Sequence, residues 1–278
     1  MPFAKANHQG EIYYESLGKG APVLLVAGIG GASGYWKPQV KSFSENFHLV
    51  LHDHRGTGKS SKDKLKYSVE LMTDDMIAVM DELDLKSAHI VGHSTGAVMA
   101  QDMAMRYPDR IRSAVMYSGW ARKDSYFQRC FDVRKRVLLD SGPLAYVQTT
   151  PLFLMSPWYV SKNINEIEAG EQASADTFPP IEIMCSRIDA ICAYGPEEKL
   201  REVKCQTAII CAKDDHLTPI FYSEEIAGYI PHAQTHFFDT GGHAISQVLP
   251  DEFNDYVIKY LIAAENEFQK SNRDQKNG

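Results

Sequence analysis

Short apolar runs alternate along this chain with longer segments in which apolar residues recur at helical spacing. The apolar runs span residues 22–27, 47–51, 88–91, 111–117, 207–211 and 235–238. They are short and contain β-branched residues, as strands that are buried on both faces do. Consecutive parallel strands need a covering helix between them. The pattern therefore predicts the α/β class, with a mostly parallel central sheet and helices on both of its faces.

Three of the longer segments have the spacing of helices that pack on such a sheet. Between the second and third apolar runs, apolar residues recur at steps of three and four along residues 69–83, which places them on one helix face. Residues 97–107 form a second predicted helix, which Pro108 ends, and residues 253–261 form a third. These segments supply the crossovers that the predicted sheet requires.

The alternation breaks between residues 121 and 204, where helical fragments follow one another without an intervening apolar run. We therefore predict two parts, an α/β core of residues 1–120 and 205–278 and an inserted helical cap of residues 121–204. The first cap helix has Phe127, Phe131 and Leu138 near one face. The rest of the cap is expected to be divided into short helices by five prolines, which are Pro143, Pro151, Pro157, Pro179 and Pro180.

Composition and charge narrow the classes of partner. Apolar residues make up 44% and charged residues 23% of the 278 positions, as is typical of globular proteins. The net charge is -7, and the largest basic cluster is the triplet 134–136, so nucleic acid is not an expected partner. No signal-peptide core opens the chain and no apolar stretch reaches about 18 residues, so we expect a cytoplasmic protein without membrane contact. The expected ligand is a small-molecule substrate, and the sequence is compatible with a homodimer.

The strongest chemical motif is GHSTG at residues 92–96, which lies between a predicted strand and a predicted helix. A sharp turn in this position lifts the hydroxyl of Ser94 above the sheet, and the flanking glycines allow the backbones to approach closely. The start of the following helix offers N–H groups to developing negative charge. Ser94 is the candidate nucleophile.

A serine hydroxyl needs a base to take its proton and an acid to orient that base. Asp215 follows the apolar run 207–211 and His243 follows the run 235–238, so both lie past the C-terminal ends of predicted strands. Asp214 is the local alternative to Asp215, which is favoured because it stands four residues before Pro219. The competing interpretation is structural, with the aspartate and the serine as helix caps and the histidine in a surface loop.

An acyl-transfer site also needs donors for an oxyanion and walls for a substrate. The N–H groups of Thr95 and Ile29 are the expected donors. The residues expected to contact the substrate lie in the glycine-rich turn after the first long strand and among the aromatic residues of the cap and its surroundings, and they are Gly28, Trp36, Trp120, Phe131 and Trp158. No spacing of histidines or cysteines implies a metal, and no phosphate-binding or dinucleotide motif is complete, so no cofactor is expected.

With these residues in place, the chain resembles the α/β-hydrolase superfamily over residues 11–265, through GHSTG, the run DHRGTGKS and the late aspartate and histidine. More narrowly, it is similar to the Rut-type aminoacrylate hydrolase branch, and this likeness extends into the cap segments RCFDVRKRVLL and PLFL. The resemblance implies hydrolysis at an enamine, carbamate or amide carbon of a small polar substrate. It also implies that Arg129, Arg134 or Arg136 meets a substrate carboxylate, unless each lies on a solvated helix face.

One departure from that branch bears on the chemistry. Some of its members have no serine at the centre of the motif, whereas this chain has Ser94. The serine favours acyl-enzyme chemistry on a small ester, lactone, amide or carbamate. Two alternatives stay open, a lactonase similar to 3-oxoadipate enol-lactonase and a non-hydrolytic ligand-binding member of the fold.

Overall fold

The computed structural model describes residues 2–277 of the chain, with side chains through residue 274, and its centre is an eight-stranded sheet. The strands are β1 (Phe3–Lys5), β2 (Glu11–Leu17), β3 (Pro22–Val26), β4 (His48–His52), β5 (Ala88–His93), β6 (Ile111–Tyr117), β7 (Gln206–Ala212) and β8 (Gln234–Phe238). Their order across the sheet is β1-β2-β4-β3-β5-β6-β7-β8. The first two strands are antiparallel to their neighbours, and β3 to β8 are parallel.

Nine α-helices surround this sheet in the described part of the chain. They are α1 (Lys37–Ser44), α2 (Val69–Glu82), α3 (Thr95–Arg106), α4 (Ser125–Leu154), α5 (Pro157–Asp176), α6 (Ile181–Ala193), α7 (Ile220–Tyr229), α8 (Ile245–Val248) and α9 (Pro250–Asn277). Each of the six predicted apolar runs coincides with one of the strands β3 to β8 to within two residues, and the predicted fold class is confirmed. The sequence pattern missed β1 and β2, because an antiparallel edge is exposed in part and has no continuous apolar run.

Both faces of the sheet are covered by apolar side chains from the helices. On one face, α2 buries Met72, Met76 and Met80, in agreement with the predicted stripe along residues 69–83. Ser68 caps the N-terminus of this helix, since its side chain accepts a hydrogen bond from the N–H of Leu71 at 3.1 Å. On the other face, α1 and α9 pack against the sheet through a second buried cluster. The sheet is thus fixed between two layers, and its strand ends face the loops that carry the candidate chemistry.

Three helices, α4, α5 and α6, are inserted between β6 and β7. The expected division of this region by prolines is found in part: α4 consists of two helical segments that meet at Gly142 and Pro143, and Pro157 and Pro180 stand at the starts of α5 and α6, whereas Pro151 lies within the second segment of α4. Gly142 has a φ of 82° and interrupts the helical geometry of α4, so Pro143 starts a new helical segment, where proline is tolerated. Pro157 likewise lies in the first turn of α5. The division of the chain into a core and a cap at residues 121 and 204 stays a prediction.

No helix among residues 2–277 combines the length and the apolar character that a membrane-crossing helix requires.

Two neighbouring histidines are buried where β4 ends. The rings of His52 and His54 stack with their centroids 5.0 Å apart, and both residues are fully enclosed. Burial lowers the pKa of His52 to about 4, and burial together with His52 holds the pKa of His54 well below its usual value. Both rings are therefore neutral in the folded protein at neutral pH.

This burial predicts that the protein loses stability in mild acid. The unfolded chain binds a proton at the ordinary histidine pKa of about 6.5, whereas folded His52 does so only near pH 4, so stability falls as the pH drops through this window. From pH 7 to pH 5, His52 should account for a loss of about 2 kcal/mol in the free energy of unfolding. Urea titrations at both pH values should show a smaller loss in the variant His52→Leu. If the stability of His52→Leu depended on pH as strongly as that of the wild type, His52 would not be the source of the acid sensitivity. The control is His232→Gln, which removes a histidine from an exposed position.

Candidate active site

Ser94 occupies a strained turn between β5 and α3. Its φ is 54° and its ψ is -112°, a conformation that costs a residue with a side chain about 1–3 kcal/mol. The flanking glycines are required by close approach, since a Cβ on Gly92 would lie 2.1 Å from the carbonyl oxygen of Gly96. A Cβ on Gly96 would lie 2.1 Å from the carbonyl oxygen of Val26 in β3. The turn is thus held by its neighbours in a geometry that presents the serine beyond the strand.

The loops after β7 and β8 bring Asp215 and His243 together. Oδ2 of Asp215 lies 2.9 Å from Nδ1 of His243, and both side chains are buried. Since Nδ1 faces the carboxylate, Nε2 points away from it, and Nε2 has no hydrogen-bond partner among residues 2–277. The carboxylate that contacts His243 is that of Asp215, whereas the carboxylate of Asp214 accepts hydrogen bonds from other residues. The ring of His243 is thus oriented on one side and available on the other.

The carboxylate of Asp215 is fixed by the turn that leads into α7. Oδ1 accepts the N–H groups of Leu217 at 2.9 Å and Thr218 at 2.8 Å, and Oδ2 accepts the hydroxyl of Thr218 at 2.9 Å. These donors stabilise the ionised carboxylate and limit its rotation. The chain geometry before Pro219 therefore sets the position of the acid.

His93, which precedes the serine, connects the elbow to the histidine loop. Its Nε2 lies 2.9 Å from the carbonyl oxygen of His243, and its ring is stacked on Tyr35 with centroids 4.7 Å apart. Burial, and then the proximity of the His243 ring, hold the pKa of His93 well below its usual value. The carbonyl can only accept, so Nε2 of the neutral ring carries the proton and donates it. Apart from its place in GHSTG, nothing in the sequence distinguishes His93.

Asp214 holds the backbone of the histidine loop. Its Oδ2 accepts hydrogen bonds from the hydroxyls of Ser156 at 2.6 Å and Thr240 at 2.7 Å, and its Oδ1 accepts the N–H of Gly242 at 2.9 Å. Ser156 belongs to the connection between α4 and α5, so one carboxylate links the inserted helices to the residue before His243. Sequence reasoning considered Asp214 only as an alternative acid, because nothing local to it shows that these three donors converge.

The glycine-rich turn after β3 lies directly against the elbow. A Cβ on Gly28 would lie 3.3 Å from Cβ of Ser94 and 3.2 Å from Nδ1 of His93, so only glycine fits there without displacement. Ile29 follows in the same turn, and Thr95 is the buried first residue of α3. The first N–H groups of a helix have no partner within the helix, which leaves that of Thr95 available at this edge. Both expected oxyanion donors thus belong to segments next to Ser94: Thr95 follows it in the chain, and Ile29 belongs to the turn that packs against it.

The aromatic residues expected around the substrate have different surroundings. Trp36 is fully buried in the cluster beneath the sheet, 6.2 Å from the ring of Phe253 in α9. Trp36 immediately precedes α1, and its side chain packs inward against α9. It is a core residue, and this position does not support the expected contact with a substrate. Trp158 is 45% exposed, and its Nε1 donates to Thr240 at 2.8 Å. It therefore lies at the surface beside the contacts of Asp214.

Trp120 and Phe131 belong to a buried aromatic group between the sheet and the insertion. The ring of Phe127 lies 4.6 Å from that of Trp120 and 4.7 Å from that of Phe131. All three rings are part of the cluster on the α2 face of the sheet. These three rings pack the first inserted helix, α4, against the sheet.

The structure separates the three arginines of the first inserted helix. Arg129 and Arg136 are exposed, whereas Arg134 is 2% exposed. Arg134 follows Phe131 by three residues and precedes Leu138 by four, so it lies on the apolar face that the sequence predicted. That spacing is the signal that could have distinguished it. Only Arg134 of the three is placed to meet a group inside the protein.

No three His, Cys, Asp or Glu side chains between residues 2 and 277 are grouped as a metal site would require.

Comparisons with known proteins show the family of this chain. A family model described as the alpha/beta hydrolase fold matches residues 21–247. A protein of Azorhizobium caulinodans named "Putative carbamate hydrolase RutD" is 39% identical over 94% of this chain and 98% of its own length. A protein of Pantoea ananatis with the same name is 34% identical over 90% of this chain and 93% of its own.

Solved structures show the same architecture. The enol-lactonase of Burkholderia xenovorans LB400 superposes with a TM-score of 0.86 at 23% identity, covering 94% of this chain and all of that one. A thermophilic esterase of Thermogutta terrifontis gives 0.84 at 23% identity, covering 95% of this chain and 98% of that one. At this level of identity the likeness concerns the fold alone.

The contacts of Asp214 predict that Asp214→Asn destabilises the protein by about 2 kcal/mol at pH 7, because the amide accepts fewer hydrogen bonds than the carboxylate. Although burial raises it, the donors Ser156, Thr240 and Gly242 hold the pKa of Asp214 below its usual value. Its contribution is thus present above the ordinary aspartate pKa and is lost as the pH falls through the lower folded pKa. Urea unfolding should show the two proteins converging below about pH 4.

Asp239→Asn is the matched control for that experiment. Asp239 is exposed in the same loop region and contacts only the exposed Lys213 among the described residues. Its replacement should leave the unfolding midpoint unchanged. Equal losses in the two variants would contradict the specific role of Asp214.

Proposed function

The chain belongs to the α/β-hydrolase family and to its RutD branch, and from this premise we propose that it is a serine hydrolase that forms an acyl-enzyme. It is a hydrolase of this fold. The finer proposal names Ser94 as nucleophile, His243 as base and Asp215 as the acid that orients it. The observation that carries the proposal is the buried contact of Asp215 with Nδ1 of His243, which leaves Nε2 unpartnered among the described residues.

The proposed reaction has two steps. In the first, Nε2 of His243 takes the proton of the Ser94 hydroxyl while the serine oxygen attacks the substrate carbonyl. The tetrahedral intermediate collapses when His243 returns that proton to the leaving alcohol or amine, and the acyl group remains on Ser94. In the second, the same nitrogen takes a proton from water, whose oxygen attacks the acyl-enzyme ester. The intermediate collapses when His243 returns this proton to the oxygen of Ser94, which frees the serine and releases the acid.

The protein's part in this reaction is orientation and charge stabilisation. Asp215 keeps Nδ1 protonated, so that the neutral ring offers a basic Nε2, and it stabilises the imidazolium that forms. The N–H groups of Thr95 and Ile29 are the proposed donors to the oxyanion. The closeness of Gly28 to Ser94, where a Cβ on the glycine would lie 3.3 Å from that of the serine, supports this assignment, since Ile29 follows Gly28 in the same turn.

The chemistry and the names of the relatives support a substrate class. We place it among small esters, lactones, amides and carbamates. The name of the RutD relatives, which specifies carbamate hydrolysis for those proteins, supports a carbamate or a related C–N substrate for this chain. Lactone hydrolysis uses the same two steps, so lactones belong in the same substrate panel.

Ser94→Ala should abolish the acyl-enzyme. With a chromogenic short-chain ester, the wild type should release a burst of product when deacylation is slow, and Ser94→Ala should show neither the burst nor turnover above about 10⁻³ of wild type. Stopped-flow absorbance and mass spectrometry of the acylated protein are the measurements. A panel of esters, lactones, amides and carbamates then ranks the substrate classes.

Ser223→Ala is the control for that loss. Ser223 is fully buried in α7, so its replacement makes the same change of side chain in a comparable environment. It should retain wild-type turnover. Full turnover by Ser94→Ala would rule out covalent catalysis by this serine and would leave direct attack by water.

A further inference from the structure

A buried arginine of the inserted helices reaches the turn that carries one of the proposed oxyanion donors. Arg187 lies on α6 and is fully buried. Its Nη2 donates to the carbonyl oxygen of Ile29 at 2.9 Å, and its Nη1 donates to the carbonyl oxygen of Arg55 at 2.7 Å, in the loop after β4. Nη2 also lies 3.1 Å from Nδ1 of His54 in that loop. One side chain of the insertion thus joins two loops at the carboxyl edge of the sheet.

The guanidinium of Arg187 has only neutral acceptors around it. It forms no salt bridge within the described chain, whereas the buried Arg55 contacts Asp75 at 2.6 Å and Asp63 at 3.0 Å. Burial lowers the pKa of Arg187 to about 10, which leaves the group charged at neutral pH. An enclosed charge without a counter-ion is costly, so buried arginines are normally paired with a carboxylate. Stability alone therefore does not favour an arginine at this position.

The turn after β3 fixes the peptide on one side of Ile29. The N–H of Gly31 donates to the carbonyl oxygen of Gly28 at 3.0 Å, which closes the turn. The carbonyl of Gly28 and the N–H of Ile29 belong to the same planar peptide and point in opposite directions. The next peptide carries the carbonyl of Ile29, which Arg187 holds. Both peptides that flank the α-carbon of Ile29 are thus held by hydrogen bonds, and together they set the direction of its N–H.

Gly31 provides the space that the guanidinium occupies. A Cβ on Gly31 would lie 2.8 Å from Nη2 of Arg187 and 2.9 Å from Cβ of His54. The carbonyl oxygen of Gly31 accepts the N–H of His54 at 2.7 Å and the hydroxyl of Thr57 at 3.0 Å. The turn after β3, the loop after β4 and Arg187 therefore pack as one unit.

We propose that Arg187 is a positioning residue of the oxyanion site, which acts by holding the carbonyl of Ile29 so that the N–H of Ile29 faces the oxygen that becomes negative. The turn is close to the nucleophile, since a Cβ on Gly28 would lie 3.3 Å from Cβ of Ser94. A donor that is already fixed needs no reorganisation when charge develops in the transition state. Arg187 acts through the backbone and does not contact the substrate. This inference rests on the proposed function, because it concerns the oxyanion of that reaction.

Arg187→Met removes the hydrogen bonds and keeps an unbranched side chain. Both steps of the proposed reaction pass through an oxyanion, so kcat for 4-nitrophenyl acetate should fall by about 30-fold or more, while KM changes by less than about threefold. A trifluoromethyl ketone, which forms a tetrahedral oxyanion adduct on a serine, should lose affinity by a factor similar to the loss in kcat/KM. Steady-state kinetics and inhibition constants are the measurements. A residue that only stabilises the fold would not move kcat and the affinity for this analogue together.

Arg106→Met is the control for a general loss of stability. Arg106 donates hydrogen bonds to the carboxylates of Asp102 and Asp74 and to the carbonyl of Glu70, and none of these contacts involves the turn after β3. Its replacement should lower the midpoint of urea unfolding and leave kcat at the wild-type value. A loss of kcat in Arg106→Met equal to that in Arg187→Met would assign the effect to destabilisation and refute the positioning role.

Arg187→Lys keeps the proposal testable if the methionine variant does not fold. Lysine retains the charge, but its single ammonium group cannot reproduce the fork that reaches the carbonyls of both Ile29 and Arg55. We expect kcat to fall by about tenfold at unchanged KM, with a matching loss of affinity for the ketone. Wild-type values of kcat and of ketone affinity in this variant would overturn the proposal.

Two outcomes separate this inference from the serine mechanism. If Ser94→Ala keeps turnover and Arg187→Met lowers kcat in that background, the covalent mechanism fails and the positioning role stands, because direct attack by water forms the same oxyanion. If Ser94→Ala is inactive and Arg187→Met retains the wild-type kcat and ketone affinity, the serine mechanism stands and the positioning role fails.

Discussion

The hydrogen bond between Oδ2 of Asp215 and Nδ1 of His243 joins loops from two neighbouring strands inside the protein. It depends on the sheet, since the parallel pairing of β7 and β8 brings the ends of both strands to one edge. It also determines which nitrogen of the ring is free. The carbonyl of His243 receives a second hydrogen bond from His93, so the elbow after β5 is tied to the same loop. Ring, acid and serine thus share one framework of strands.

The sequence predicted those features of the site that depend on residues close together in the chain. A buried strand, a glycine-flanked serine and a helix start follow one another within a few residues, and the acid and the base each follow an apolar run. The antiparallel edge of β1 and β2 was missed because its strands lack such a run. The role of Asp214 was missed because its donors, Ser156 and Thr240, are distant in sequence and converge only in the folded chain.

The sequence predicted the inserted helices as a region, together with some of the breaks between them. The prolines indicated the break at Pro143, where Gly142 leaves helical geometry, but not that Pro151 lies within a helical segment. The place of Arg134 on the apolar face of its helix was visible in the sequence. What the sequence could not show is that no carboxylate among the described residues meets it. Burial and pairing are properties of the fold, and no pattern along a single helix reports them.

The helices of the insertion differ strongly in how many of their side chains are buried. α6 sends Arg187 between two loops of the sheet, where it makes three hydrogen bonds, whereas α5 buries none of its residues. Exchanging residues along α5 therefore costs little packing, and exchanging them along α6 disturbs the centre of the molecule. Divergence or laboratory evolution of this scaffold has room to vary along α5, while α6 is constrained almost as strongly as the strands themselves.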